Sequence, residues 1–420
     1  GSLFICLKGA HVDGHKYLEQ AAASGAGAAL VEDVPEVCPD GLTLLKVADT
    51  RLGMEVIAPF FYDYPGKTMR MIGVTGTNGK TTTTNIVRAI LRKAGFKVGL
   101  IGTINIMIED EAIVAHNTTP DVVDLQRALY RMKEAGCEYV VMEVSSHALA
   151  LNRVAGCEYD TAALTNITQD HLDFHKTLEN YANAKQLLFK KTRGKKIAVI
   201  NGDDPHASHF ELEGNQNLLI SDQKGDVLIQ NIEFSHLGTT FTFKYQEKEY
   251  QTHIQMVGRY NVYNYLTAML LIHELGYGID AILALNTKLK APKGRMELIV
   301  YGTNGIFVDY AHTPDATLNV LESAQEFKKG SDHVIITDDN PRTEDPQKII
   351  NDILVGVSGD YEVINDRHLA IAKGMSLLKE NDILMILGKG HEDYQIIGTE
   401  KIHFSDQEEV EKYIREHIHD

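Results

Sequence analysis

The segment Gly73-Val74-Thr75-Gly76-Thr77-Asn78-Gly79-Lys80-Thr81-Thr82 lies where an apolar run, Met71 to Val74, meets a helical pattern from Thr81 to Ala94. Glycines at such a turn let the backbone curl with its N–H groups facing inward, and the start of the next helix adds partial positive charge. Lys80 can then reach terminal phosphates, and the Thr81 hydroxyl can ligate Mg²⁺. The strict phosphate-loop spacing would put glycine at 74, where valine stands, so this is a variant with glycines at 73, 76 and 79. A glycine-rich turn with an incidental lysine shares the first half of the pattern. Gly79-Lys80-Thr81 opening a helix decides for a nucleoside triphosphate.

A triphosphate brings a divalent cation, which takes hard oxygen ligands. Glu143 lies in the apolar run Tyr139 to Val144, so its carboxylate falls at the carboxyl edge of a sheet, beside the loop. Taken alone, a strand-terminal glutamate is more often a solvated side chain. A second polar cluster, Thr165 to His175, follows another apolar run. His171 and His175 have a helical zinc spacing, but no third ligand and no glutamate beside the first histidine complete such a site. By itself this cluster reads only as an active-site loop.

Alternating strands and helices must position these groups. Leu3 to Leu7 and Gly27 to Glu32 read as strands around a helix from His15 to Ser24. From Met69 the alternation sharpens, with strands at Val98 to Thr103, Tyr139 to Val144, Ala162 to Asn166 and Lys196 to Asn201, and helices at Asp121 to Ala135 and Glu179 to Lys190. That spacing predicts βαβ units and a parallel sheet. From Asp226 to Val257 the period drops to two, predicting a small antiparallel addition before a helix near Tyr260. A third unit begins near Met296, with strands at Gly305 to Tyr310, His333 to Thr337 and Ile383 to Leu387. Its helices fall around Asp315 to Lys328, Gln347 to Val355, Arg367 to Leu378 and Gln407 to Ile418, a second doubly wound pattern.

The chain has 420 residues, which is room for roughly three domains. Its 58 acidic against 41 basic residues give a formal charge of −17, with no Lys/Arg-rich run, which argues against nucleic-acid binding. Four cysteines without a CxxC pair make no disulfide framework and fit a reducing cytosol. No apolar run is long enough to span a bilayer.

Read together, the motifs resemble the Mur ligase family of cytoplasmic peptidoglycan synthesis. The resemblance rests on an ordered set: Asp13-Gly14-His15, the phosphate loop, Asn117-Thr118-Thr119-Pro120, Glu143-Val144-Ser145-Ser146-His147, Asp170-His171-Leu172-Asp173, Tyr181-Ala182-Asn183-Ala184-Lys185, Asn261, Gly294-Arg295, Asp309-Tyr310-Ala311-His312, Asp339-Asn340-Pro341-Arg342 and Gly388-Lys389-Gly390-His391-Glu392. It implies an α/β protein of three domains: a small N-terminal UDP-binding domain (1–66), a central P-loop parallel-sheet ATPase domain (67–295) and a C-terminal Rossmann-like domain that delivers an amino acid (296–420). It further implies ATP bound by Gly76, Thr77, Asn78, Gly79, Lys80, Thr81 and Thr82, with Asn261, Arg295 and Asp309 placing adenine and ribose and His312 near the γ-phosphate. Thr81 and Glu143 would hold one Mg²⁺. Glu143, His171 and Lys185 would hold a second, the lysine as a carbamate formed from CO₂. Lys80, Glu143, His171 and Lys185 thus make the catalytic set.

The same resemblance implies UDP-MurNAc-L-Ala-D-Glu as acceptor, touched by Thr118, Thr119, Ser145 and Arg153, and an amino acid held by Asp339, Asn340, Arg342, Gly388 and Glu392. Arg342 points to meso-diaminopimelate, because a guanidinium can bind its distal carboxylate bidentately. L-Lysine or another diamine is the alternative, and a non-catalytic nucleotide-binding module is the alternative of another class. A folate-type polyglutamate ligase fits Asp13-Gly14-His15 and Asp339-Asn340-Pro341-Arg342 less well. A cytoplasmic monomer is expected, without membrane insertion. The sequence departs from the family pattern in two places, before Gly1 and between Gly330 and Ser331, where a segment and a strand with its helix are expected to be missing.

Overall fold

Arg70–Thr75 is β-branched and aliphatic enough to be buried on both faces, and it forms an interior strand of an 11-stranded sheet. The computed structural model describes residues 1–9, 12–235, 238–286, 289, 291–311, 317, 333–355, 357 and 359–417. Its first unit is a three-stranded parallel sheet of β1 (Ser2–Ile5), β2 (Ala26–Val31) and β3 (Thr43–Lys46), packed with helices α1 (Leu18–Ala23) and α2 (Thr50–Phe61). The expected helix from His15 begins as a 3₁₀ turn, Gly14–Tyr17, because the Asp13 carboxylate caps the His15 N–H at 3.0 Å. Neither β3 nor α2 was expected; α2 carries Gly53 and Pro59, which blur its helical pattern.

The large sheet contains β4 (Arg70–Thr75), β5 (Val98–Ile101), β6 (Asn105–Ile108), β7 (Glu111–Val114), β8 (Tyr139–Glu143), β9 (Tyr159–Leu164), β10 (Thr192–Asn201), β11 (Gln216–Ser221), β12 (Val227–Ser235), β13 (Gly238–Tyr245) and β14 (Lys248–Ile254). Their order is β14-β13-β12-β11-β10-β9-β4-β8-β5-β6-β7. Alternate residues serve opposite cores. Ile72, Val74 and Val141 face α3 (Lys80–Lys93) and α9 (Arg259–His273), while Met71, Val140 and Met142 face α4 (Val122–Glu134) and α7 (Leu178–Lys190). The expected antiparallel addition is β12, β13 and β14, and because β11 pairs β12 in parallel it extends the same sheet. The hairpin β6–β7 does the same at the other edge, where no strand was expected.

The third unit also departs from a plain doubly wound sheet. Among the described residues it has a sheet of β15 (Glu297–Tyr301), β16 (Asn304–Asp309) and β19 (Ile383–Leu387), and a separate parallel pair, β17 (Ile335–Ile336) with β18 (Glu362–Val363). β15 runs antiparallel to β16, since only the two-residue turn Gly302-Thr303 joins them. A hairpin β20 (Tyr394–Ile397) with β21 (Glu400–His403) and helices Pro346–Leu354, Arg367–Leu377 and Asp406–His417 complete it. The expected helix Asp315 to Lys328 and the Gly330-Ser331 junction lie outside the described residues. Among the described residues no helix is long and apolar enough to cross a membrane.

Candidate active site

The site forms at the carboxyl edge of the sheet where β4 is flanked by β8 and β9, so that the loops after them diverge and leave a crevice. The loop after β4 is clamped by the one after β9. Asn166 accepts from Thr77 N–H through its carbonyl and from Asn78 N–H through Oδ1, both at 2.9 Å, and the Thr165 hydroxyl donates to Asn78 O at 2.5 Å. Gly76 has φ +145°, and a Cβ there would lie 1.9 Å from Thr165 Oγ1. Gly79, at φ +86°, starts α3 with a Cβ direction blocked 2.4 Å away by Asn264 Oδ1. Both positions therefore exclude a side chain on two counts, conformation and space. Thr81 and Thr82 are buried in the first turn of α3, a 14-residue helix.

Glu143, at the end of β8, is 1% exposed. Its Oε1 accepts from Thr103 N–H at 3.0 Å, and its Oε2 accepts from the hydroxyls of Thr81 at 2.9 Å and Thr103 at 3.0 Å. No described Lys, Arg or His nitrogen lies within 4.0 Å of it. A carboxylate so deeply buried needs a cation. Thr81, having spent its one proton on Glu143, turns only lone pairs outward, which suits a hard divalent cation. Thr103 Oγ1 also meets Thr118 Oγ1 at 3.0 Å. Thr119 donates to Glu143 O at 2.8 Å and accepts from Ser145 N–H at 3.1 Å. Arg153 Nη1 reaches Thr119 O at 3.4 Å, while its Nε is buried without a partner. Thr81, Glu143, Thr118, Thr119, Ser145 and Arg153, read as two groups in sequence, thus form one connected network.

Lys80 folds back over the loop, donating to Gly76 O at 2.8 Å and Thr77 O at 2.7 Å. Lys185, 1% exposed on α7, donates to the same Gly76 O at 2.7 Å and lies 4.4 Å over the Tyr181 ring. Two amino groups sharing one buried carbonyl repel. Burial first and the Lys80 charge second hold Lys185 well below the usual lysine range, and burial also lowers Lys80. The folded chain gives up the Lys185 proton at a lower pH than the unfolded chain, which keeps it up to about pH 10.5, so between those two points this lysine makes stability rise with pH. In denaturant unfolding of the ligand-free protein at about pH 7 and about pH 9.5, the stability of the parent relative to Lys185→Met should increase at the higher pH. A difference independent of pH would mean that Lys185 stays protonated in the fold.

His171 is half exposed, with φ +53°, at the start of α6 (Leu172–His175). Its ring meets His147 edge-on at 4.7 Å and Tyr181 at 6.3 Å. No direct contact joins His171 to Glu143 or Lys185 among the described side chains. Among the described residues no three His, Cys, Asp or Glu side chains come together as a cluster.

Asn261, 1% exposed on α9, donates to Val257 O at 2.8 Å and accepts from Asn264 at 3.1 Å; its amide is used inside the protein, one layer beneath the loop. Arg295 lies 5.0 Å over the Tyr310 ring, and its positive charge acts on Lys80. Asp309 Oδ2 accepts from Met296 N–H at 2.7 Å, and its carbonyl accepts from Gly388 N–H at 3.1 Å, which ties the expected nucleotide and amino-acid groups together. His312 lies outside the described residues.

The expected amino-acid residues also converge. Asn340 donates to Glu392 at 2.9 Å, and the fully buried Lys389 donates to Asp339 at 3.2 Å and Asn340 at 3.3 Å, with Glu392 3.7 Å away. Gly388, at φ +116°, brings the backbone next to the Asp339 carboxylate. Arg342 is anchored by its backbone, N–H to Ile396 O at 3.0 Å, at φ +53°, while its side chain is exposed and unpaired among the described residues.

The sequence pattern of the Mur ligase middle domain matches residues 74–272, and that of the Mur ligase, glutamate ligase domain matches residues 322–390. A UDP-N-acetylmuramoyl-L-alanyl-D-glutamate--2,6-diaminopimelate ligase of Bacillus cereus is 41% identical over 451 residues, covering 99% of this chain and 91% of the relative. The chain belongs to the Mur ligase family. The enzyme of the same name from Lactiplantibacillus plantarum is 41% identical, covering 98% of this chain and 91% of its own. A solved structure of such a diaminopimelate ligase superposes with TM-score 0.75 at 30% identity, over 100% of this chain and 93% of that one. A MurF ligase from Thermotoga maritima in complex with ADP shares the fold, with TM-score 0.67 at 19% identity, over 99% and 95% of the two chains.

Within this Mur ligase fold, three groups escaped sequence reasoning. Thr103 read only as the end of a strand, and Lys389 only as part of a motif. Arg367, nearly fully buried, pairs with Asp406 at 2.7 Å and donates to Leu387 O and Asp338 O, pinning both strands that carry the amino-acid residues. Its partner is 39 positions away, a separation that leaves no local signal.

Proposed function

We propose that the chain is an ATP-dependent amide ligase that joins meso-diaminopimelate to the D-glutamyl carboxylate of UDP-MurNAc-L-Ala-D-Glu. The observation that carries this reading is the 39–41% identity, over nearly the full chain, to relatives named as diaminopimelate ligases. With domain limits at 1–66, 67–295 and 296–420, the first unit holds the uridine, the second splits ATP and the third delivers the amine. Activation requires the acceptor carboxylate to take the γ-phosphoryl group of ATP, giving an acyl phosphate that the amine then attacks with loss of phosphate.

The loop from Gly76 to Thr82 offers backbone N–H groups to the phosphates, and Lys80 swings from its own carbonyls onto the transferring group. Asn261, Arg295 and Asp309 would place adenine and ribose, and His312 would act near the γ-phosphate. Thr81 and Glu143 would hold one Mg²⁺, and Glu143, His171 and a carbamylated Lys185 a second. When bound, these cations offset charge on the transferring phosphoryl group. The crowding that holds Lys185 below the usual lysine range supports the carbamate, because only an unprotonated nitrogen attacks CO₂. Thr118, Thr119, Ser145 and Arg153 orient the UDP-sugar peptide. Asp339, Asn340, Gly388 and Glu392 take the amino-acid head group, and Arg342 the distal carboxylate. A monomer in the cytoplasm, where ATP and nucleotide-linked precursors are found, completes the reading.

The test is ADP release by the purified protein supplied with ATP, Mg²⁺, bicarbonate and UDP-MurNAc-L-Ala-D-Glu. Meso-diaminopimelate should support turnover roughly 10²-fold or more better than L-lysine, which lacks the carboxylate for a charge-assisted pair of hydrogen bonds. Equal rates would overturn the choice of amino acid. No ADP with any amino acid would leave a nucleotide-binding module.

A further inference from the structure

The hydroxyls around Glu143 form a row in which each has a single proton to give. Glu143, as a carboxylate, can only accept, and it does so from Thr103 twice, through the backbone N–H and the hydroxyl, both at 3.0 Å. With its proton spent, Thr103 Oγ1 can act only as acceptor in its 3.0 Å contact with Thr118 Oγ1, so the Thr118 proton points inward as well. Gly102 makes this clamp possible, because a Cβ there would lie 2.4 Å from Glu143 Oε1.

We infer that Thr103 is a positioning residue that sets the hydrogen-bond polarity of the acceptor site. It orients the Thr118 hydroxyl so that Thr118 presents lone pairs only, and recognises an N–H or O–H donor of the UDP-sugar peptide rather than a carboxylate or phosphate oxygen. Because Thr81 donates to the same Oε2, the row also connects the acceptor site to the phosphate loop through one buried oxygen. A hydroxyl free to rotate could donate or accept and would discriminate poorly. One whose proton is held 3.0 Å from a second hydroxyl, itself held by a buried charge, cannot. This inference rests on the ligase reading for the identity of the ligand.

The experiment is calorimetric titration with UDP-MurNAc-L-Ala-D-Glu, without ATP or Mg²⁺, of the parent, Thr103→Val, Thr103→Ser, Thr118→Val and the double Val variant. Thr103→Val should weaken binding by about 3- to 10-fold, the value of one hydrogen bond and its ordering, and Thr103→Ser should restore it. The two Val changes should be non-additive, the double variant binding about as well as Thr118→Val alone. Thermal midpoints separate misfolding from the effect, and if Thr103→Val does not fold, Thr103→Ala carries the same comparison with Thr103→Ser. Repeating the titration with UDP-MurNAc lacking the dipeptide locates the donor: the loss persists if the sugar supplies it and vanishes if the peptide does. Parent-like binding by Thr103→Val, or full additivity, would overturn the relay. A parent that does not bind the nucleotide-sugar peptide at all would instead count against the ligase reading.

Discussion

Lys185→Ala is expected to lower amide formation by roughly 10² to 10³-fold, the usual effect of removing one preorganised electrostatic stabiliser. The physical ground is the crowding at Gly76 O, where Lys80 and Lys185 both donate within 2.8 Å. An ammonium at 185 would repel Lys80, whereas addition of the unprotonated amine to CO₂ would form an N–C bond, open one C=O π bond, release one proton and leave one negative charge. On the proposed reading, that negative group would pair with Lys80 and offer oxygens to a cation. Two measurements accompany the rate. Protein equilibrated with ¹³C-bicarbonate should show a carbamate resonance that Lys185→Ala lacks, and acetate, small enough for the vacated space, should restore part of the variant's activity. Activity within a few-fold of the parent, together with no carbamate signal in the parent, would remove Lys185 from the catalytic set.

The second large effect concerns Arg342→Ala. Its backbone is fixed on Ile396 and its guanidinium is exposed and unpaired among the described residues, so the side chain is available to a ligand without first breaking an internal bond. Two charge-assisted hydrogen bonds to a distal carboxylate are worth about 1.5–3 kcal/mol each, so the loss in kcat/KM for meso-diaminopimelate should be roughly 10² to 10⁴-fold. KM for ATP should stay within about twofold, since the Arg342 side chain makes no contact with the phosphate loop among the described residues. Arg342→Lys should recover only part, because an ammonium cannot present the planar fork. An unchanged kcat/KM for meso-diaminopimelate in Arg342→Ala would assign the distal carboxylate to another group.

Much of the central unit was legible because its signals are local. Gly76, Gly79, Lys80 and Thr81 are neighbours in the chain, and the period-two burial of Met71 to Val74 and of Val140 to Met142 follows from strand geometry alone. The edges were less legible. The alternation of β12, β13 and β14 marks an antiparallel addition, but only the parallel pairing of β11 with β12 shows that it extends the main sheet. In the third unit the hairpin of β15 and β16 was not anticipated, because a two-residue turn leaves little signal beside the overall strand and helix rhythm.

By itself, the sequence pointed to the kind of chemistry: a phosphate loop opening a helix and an acidic residue at a strand end, with the amino acid implied only by the resemblance at Arg342. The first two are properties of residue types at short spacing, where covalent geometry leaves few alternatives. The tertiary structure alone decided which groups share a proton or a charge. Thr81, Thr103, Thr118 and Glu143 come from four segments and meet in one row of hydroxyls, and Lys80 and Lys185 meet on a single carbonyl across 105 residues of chain. Hydrogen-bond direction and amine protonation depend on burial and on neighbours within about 4 Å, and those neighbours are assembled by the packing of β4 between β8 and β9.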